Sequence, residues 1–211
     1  MNESIAKSRT YIKRSINLAI EMIVKPAEFF RTMPKVGGLI DPLLYLVMSA
    51  VLGVLVIAFD AFVSHGAGLH DLSMLIGGLI VVPLIVVIVS FFVAGLFYAI
   101  WSFMGSNESY ETSYRCLAYM QILIPISILL SMVPYLGLLG IIWWLYLMAT
   151  ATREVHKLSV KPALLVFGLI AALSGLVYYN SVSSAIKADQ HLREFTKELQ
   201  RMPGRSDTGN R

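Results

Sequence analysis

Residues 72–107 form thirty-six consecutive positions without a charged side chain, bounded by Asp71 and Glu108. Within them, residues 79–101 hold sixteen Leu, Ile, Val or Phe. Each contributes roughly −0.3 to −0.6 kcal/mol at mid-bilayer, so the segment partitions into a membrane as a helix. A single helix of that length rises about 50 Å against a hydrocarbon core of about 30 Å, too long to stand upright and too short for two spans and a turn. It is expected to tilt and project past the bilayer over about 72–103, with Pro83 as its kink.

Two further apolar runs flank it. The first covers about 39–63, entered through Asp41-Pro42, where proline suits a first helical turn. The second, 116–152, is thirty-seven residues without a charge. Read as one span it strands about seventeen apolar residues; a break at Pro134-Tyr-Leu-Gly137 divides it into a hairpin of two short spans, about 116–133 and 137–152. A last span follows at about 162–182. The pattern is all-α, a polytopic membrane helical bundle with one membrane domain over 39–183.

The two ends carry a different periodicity. Over 11–24, Ile12, Ile16, Ala19, Ile20 and Ile23 recur at helical spacing among Lys13, Arg14, Asn17 and Glu21, which predicts an amphipathic helix at the membrane interface within a cytoplasmic segment 1–38. Ala185, Ala188, Leu192, Phe195, Leu199 and Met202 fall three and four apart, a seam fit for a partner helix or the membrane surface. The tail 184–211 therefore reads as helical, then disordered from Pro203 by composition.

Composition agrees: 57% of residues are hydrophobic and 14% charged, against roughly 25% charged in a soluble domain. The net charge of +4 sits at span ends and in the tails, where topology and anionic lipid explain it, so nucleic acid is not an expected partner. No apolar core of signal-peptide type precedes the first span, which is expected to act as the targeting element itself. Cys116 is the sole cysteine and excludes an internal disulfide. With five spans and the N-terminus inside, Lys and Arg number seven, one and three on the inside against six in the outer tail. Four spans score higher, fourteen against three, but strand the apolar residues; on charge and hydropathy alone both arrangements stand.

Several residues arranged in order along the chain break that tie. Pro26-x-x-Phe29-Phe30 precedes the first span; Gly105, Ser109-Tyr110 and Ser113-Tyr114-Arg115 precede the third; Pro125 lies within it; Pro134-x-x-Gly137 makes the hairpin; His156-x-x-Ser159-x-x-Pro162-Ala163 enters the last span. In this ordered set the chain resembles the Yip domain family of five-span membrane proteins, over about 26–178. The resemblance implies five spans and a cytoplasmic N-terminus, with the C-terminus outside. Eukaryotic members of that family are adaptors for prenylated GTPases. This chain lacks their long hydrophilic N-terminal region and is similar to compact bacterial members, so GTPase binding is not carried over and a bacterial cytoplasmic (inner) membrane is the expected location.

Three groups of side chains carry candidate chemistry. Asp60, His65, His70 and Asp71 are of metal-ligand type within twelve residues, though their spacing fits no familiar site and solvated loop residues explain them as well. Arg115 with Tyr110, Tyr114 and Tyr119 has the composition of a lipid-phosphate pocket, or of an interfacial anchor with an aromatic belt. Pro83 and Pro125 free backbone carbonyls that either line a cavity or are satisfied by neighbouring helices. No nucleophile-and-base set, phosphate loop or intramembrane acid chain is visible, so neither an enzyme nor a cofactor is expected.

The expected function is a non-enzymatic scaffold that binds itself or other integral membrane proteins through its tails and through faces bearing Gly77, Gly78, Gly95, Gly137, Gly140, Gly168 and Gly175. A lipid- or small-molecule-binding or transport bundle near Arg115 and Pro125, and an accessory subunit of a membrane exporter, are the alternatives. Membrane lipids are partners in every case.

Overall fold

The computed structural model describes residues 2–65 and 69–201. Among them every regular element is a helix: α1 Asn2–Val24, α2 Pro26–Thr32, α3 Ile40–His65, α4 Leu69–Phe103, α5 Tyr110–Met120, α6 Leu123–Ser131, α7 Leu138–Glu154 and α8 Val160–Arg201. Four stretches are long and apolar enough to cross a membrane: Ile40–Ser64, Leu72–Phe103, Tyr110–Ser131 and Val160–Leu199. The apolar helix α7, seventeen residues long, is shorter than these and rises about 26 Å.

The apolar runs foretold the helices, with differences at their ends. The stretch expected at 116–133 begins six residues earlier, at Tyr110, because Ser109 caps it: its Oγ accepts from the Thr112 N–H at 3.2 Å. It then breaks between α5 and α6. Pro125 has no N–H for the Gln121 carbonyl four residues back. That carbonyl instead accepts from the Ile124 N–H at 2.9 Å and from Ser49 Oγ on α3. The carbonyl freed by Pro125 is thus satisfied by a neighbouring helix. Helix α4 keeps Pro83 inside an unbroken helix. The last span and the helical tail expected to continue it are one 42-residue helix, since no proline or glycine falls between Gly175 and Arg201 to stop it. The tail beyond Arg201, expected to be disordered, lies outside the described residues.

Helix α3 packs on α4, α5 and α6, α4 on α5, and α7 chiefly on α8. Phe97 of α4 gathers Trp144 of α7 at 5.9 Å and Phe167 of α8 at 5.5 Å into one aromatic centre. Glycine lets backbones close up at the hairpin end. A Cβ on Gly140 would lie 2.4 Å from Ser127 Oγ and 3.1 Å from Ser127 Cβ, and one on Gly137 would lie 2.5 Å from the Tyr178 hydroxyl oxygen. A Cβ on Gly78 would lie 3.3 Å from Val54 Cγ1, a milder approach, whereas Gly77 and Gly168 face open space. Much of the glycine surface expected for partners is therefore used within the chain. Gly140→Ala is expected to destabilise the protein by about 1–3 kcal/mol, as overpacking does. In detergent this lowers the melting temperature, and adding Ser127→Gly restores most of the loss.

Candidate functional site

Pro26 starts α2, the short helix whose Phe29 and Phe30 are buried. Phe29 meets Tyr119 of α5 edge-on at 5.4 Å, and Tyr119 meets Tyr45 of α3 at 5.2 Å. Phe29 and Phe30 of the motif that precedes the first span thus act as a plug in the bundle end. Helix α1 follows them: Ser15 and Met22 face inward while Ile16, Ile20 and Val24 form an exposed stripe.

The linker between α2 and α3 is held by an ion pair of a buried arginine and a part-exposed glutamate. Arg115 is 3% exposed. Its Nε donates to Glu111 Oε1 at 3.1 Å, Nη1 to the Pro34 carbonyl at 3.3 Å, and Nη2 to the Gly38 carbonyl. Glu111 Oε1 accepts in turn from the Gly38 N–H at 2.8 Å. The pair therefore grips both backbone groups of Gly38, whose φ of +85° only glycine adopts readily. A side chain on Gly37, φ +124°, would meet Arg115 Nη2 at 3.2 Å. With all three of its nitrogens engaged inside the chain, Arg115 presents no open fork to a lipid phosphate. The recess beside it, about 150 Å³, is shared by Arg14, Glu21 and Asp41, a balanced set of charges.

Two more contacts tie the loops to this end. Lys35 pairs with Glu108 and donates to the Val155 carbonyl at 3.2 Å. Glu154, closing α7, receives Arg31 at 3.2 Å and Arg153 at 2.8 Å; hydrogen bonds from Arg31 and then Arg153 hold its carboxyl below the usual carboxylate range. His156 stacks on Trp101 at 4.0 Å and shares a 2.7 Å hydrogen bond between Nδ1 and Ser106 Oγ. Trp101 Nε1 donates to Thr152 Oγ1 at 2.9 Å. Burial, and secondarily the charge of Lys35, pushes the His156 imidazole down to about 4. Gly105, φ +98°, turns the chain out of α4 into this cluster.

Pro26, Phe29, Phe30, Gly105, Tyr114, Tyr119, Arg115 and His156 thus converge on one end of the bundle. Tyr110 donates to the Phe91 carbonyl at 2.9 Å, and Tyr114 lies 3.2 Å from Ser90 Oγ, stacked on Phe91. Pro134 and Gly137 lie at the opposite end with Tyr135, whose ring faces Tyr179 at 5.4 Å. Asp60 is exposed. The side chains of His65, His70 and Asp71 lie outside the described residues, and no group of metal-ligand side chains occurs among the described ones.

Sequence reasoning passed over the partners Lys35, Glu108, Glu111, Glu154 and Trp101. Only Glu111, four residues before Arg115, carried a local signal. It also passed over a cavity of about 520 Å³ between α4, α5, α6, α7 and α8. Residues near Pro125 line that cavity, but Pro125 and Arg115 do not. A profile of the Yip1 domain matches residues 20–179 of the chain. Comparison with curated proteins and with solved structures returns no match.

Arg115→Ala takes the donor away from the Pro34 and Gly38 carbonyls and from the part-exposed Glu111 carboxylate, so it is expected to cost about 1–3 kcal/mol, read as a lowered melting temperature. Acid acts through His156 and Glu154. Between about pH 6.5 and 4 the unfolded imidazole binds a proton that the folded one refuses, so stability falls as pH drops through that window. Glu154 contributes stability above its ordinary pKa, and this is lost as pH falls through its lowered folded value. A melting series from pH 8 to 4 is expected to decline, and His156→Phe, which keeps the stacked ring, to flatten the part between about pH 6.5 and 4.

Proposed function

The chain belongs to the Yip1 domain family, and from that premise we propose that it is a non-enzymatic membrane scaffold that associates with a second copy of itself through the end of α8. The reading takes α3, α4, α5–α6, α7 and α8 as five spans. Support comes from the path of the chain: α5 leaves the Arg115 end, residues 132–137 turn beside Tyr179, and α7 returns to Glu154 and His156 beside Arg31 and Lys35. Eleven of the seventeen Lys and Arg then share the cytoplasmic side of an inner membrane, and the C-terminal tail with the other six lies outside.

The observation that carries the scaffold is the apolar seam on α8. Leu192, Phe195 and Leu199 are 66%, 59% and 51% exposed, on a stretch that also bears Lys187, Asp189, Arg193, Glu194 and Lys197 and so cannot lie in hydrocarbon. Internal pairs such as Arg193–Asp189 at 2.8 Å steady this projecting helix without covering the seam. Burying one such side chain is worth about 1.5–3 kcal/mol, and fewer than three heptads form only a weak coiled coil in free solution. The membrane changes that balance. It holds two copies parallel, with their seams at one height, and confines them to a plane, which raises their effective concentration. A second copy meets the seam in register with no further adjustment.

Native mass spectrometry of the full chain in mild detergent is expected to show a homodimer. Leu192→Asp with Phe195→Asp is expected to raise the dimer dissociation constant at least tenfold, about 1.4 kcal/mol, with helix content unchanged by circular dichroism. A dimer that survives this change at wild-type strength, or a wild-type chain that is wholly monomeric, would overturn the reading.

A further inference from the structure

Helix α1 presents three faces, each readable from its spacing. Ser15, Leu18 and Met22, three and four apart, turn toward the bundle. Ser15 and Met22 are buried, and Leu18 lines a small recess with Asp41 and Tyr45 of α3 and Tyr119 of α5. Ile16, Ile20 and Val24, four apart, form an apolar stripe in which every side chain is more than half exposed. Arg14, Asn17 and Glu21, again three and four apart, make a polar third face. A surface helix on a soluble bundle shows an apolar side inward and a polar side outward; the outward arc of α1 is itself divided.

What covers the stripe follows from where α1 sits. Arg14, Ser15 and Leu18 share a recess with Asp41 and Tyr45, which lie in the first two turns of α3. Helix α3 is long and apolar enough to cross a membrane, so its first turns stand where a span leaves hydrocarbon for the headgroups. That contact fixes α1 at headgroup depth. At the same level Ile40 and Leu44 of α3 are exposed and, on a spanning helix, meet lipid. The polar face of α1 turns toward the segment before the span: Arg14 and Glu21 share a recess with Thr32, Pro34 and Gly37. The stripe stands roughly a third of a turn away round the helix, on the side left for the bilayer. Lys13, exposed one turn before Asn17, borders stripe and polar face, where a lysine lays its methylenes along apolar surface and carries its charge to the phosphates.

We infer that the stripe is buried in the lipid leaflet that α3 enters, with Ile16, Ile20 and Val24 about 5–10 Å into the boundary of headgroups and acyl chains. Arg14, Asn17 and Glu21 stay in water. A peripheral amphipathic helix has only a lipid side and a water side, and its binding depends on anionic lipid. Helix α1 has a third side held on the protein, so its depth and its rotation about its own axis are set by the bundle and do not depend on lipid charge. The docking needs neither a second copy nor the α8 seam, so its fate is independent of the dimer.

The test places one cysteine at a time on the full chain, Ile20→Cys or Asn17→Cys, and labels it with a nitrobenzoxadiazole fluorophore. Native Cys116 is buried, and the unsubstituted chain serves as the control for labelling there. The labelled chain is reconstituted into vesicles of phosphatidylethanolamine and phosphatidylglycerol, with or without phosphatidylcholine bearing a nitroxide near the top of its acyl chain. The nitroxide is expected to quench the probe at Ile20→Cys about threefold more than at Asn17→Cys, and aqueous iodide to quench in the reverse order. The same order is expected when phosphatidylcholine replaces phosphatidylglycerol. Ile16→Asp with Val24→Asp, at exposed positions that leave the packed face intact, is expected to cut nitroxide quenching at Ile20→Cys about twofold. Equal quenching at the two positions, the reverse order, or an order lost without phosphatidylglycerol would each overturn the inference. So would protection of Ile20→Cys from both quenchers, the result that a second copy or another protein on the stripe would give.

Discussion

The grip of Arg115 and Glu111 on Gly38 is the constraint on which the arrangement of this chain depends. A guanidinium at 3% exposure is tolerable only if its donors are matched, and here they are matched by one carboxylate and two carbonyls of the segment joining α2 to α3. Such a pair adds less net stability than its geometry suggests, because desolvation offsets much of the attraction. Its larger effect is specificity. Glu111 meets the charge from the same helix, but another path for residues 34–38 takes the Pro34 and Gly38 carbonyls away from the buried guanidinium, which favours one course for the linker and for the α2 aromatics. In a membrane bundle this matters more than in a soluble core, since lipid removes most of the hydrophobic drive that packs helix on helix.

Around that grip the loops are laced by pairs of mixed exposure. Arg31 is well exposed where it meets Glu154, and such a pair contributes little by itself. The stacked Trp101–His156 rings and the Trp101–Thr152 hydrogen bond are buried and bind the end of α7 to the end of α4. The imidazole is kept neutral there by burial, which makes it a packing element across the physiological pH range.

How much of this was legible follows from the range of each signal. The charge-free runs marked α3, α4, α7 and the apolar part of α8, because hydropathy is a local property of about twenty residues. Pro134 and Gly137 marked the hairpin for the same reason. The break at Gln121 was half visible: Pro125 announced a freed carbonyl, but its partner Ser49 stands on α3, 72 residues earlier, and no local pattern connects them. Arg115 was found as a residue of interest and read as a lipid-phosphate ligand or an interfacial anchor, because an arginine at a span end has the same local appearance whether its donors face lipid or the chain. The carbonyls of Pro34 and Gly38 that occupy it leave no trace in side-chain composition. The cavity escaped because Gln121, Ser127, Ser131 and Ser174 look like incidental polar positions in apolar runs until the helices are assembled.

The two ends of the bundle divide the work. One is closed by charge pairs, aromatic stacking and a glycine linker in left-handed backbone, although the buried Tyr45 hydroxyl and His156 Nε2 find no partner there and α1 presents Ile16, Ile20 and Val24 outward. The other is held by close glycine contacts and a tyrosine pair, and it leaves a cavity, an unpaired hydroxyl and a helix that runs on past the bundle with its apolar seam uncovered. Polar atoms already satisfied within a chain contribute rigidity, while unsatisfied ones and exposed apolar seams supply the free energy of association. The ordered motifs that mark the family are concentrated largely where the chain holds itself together.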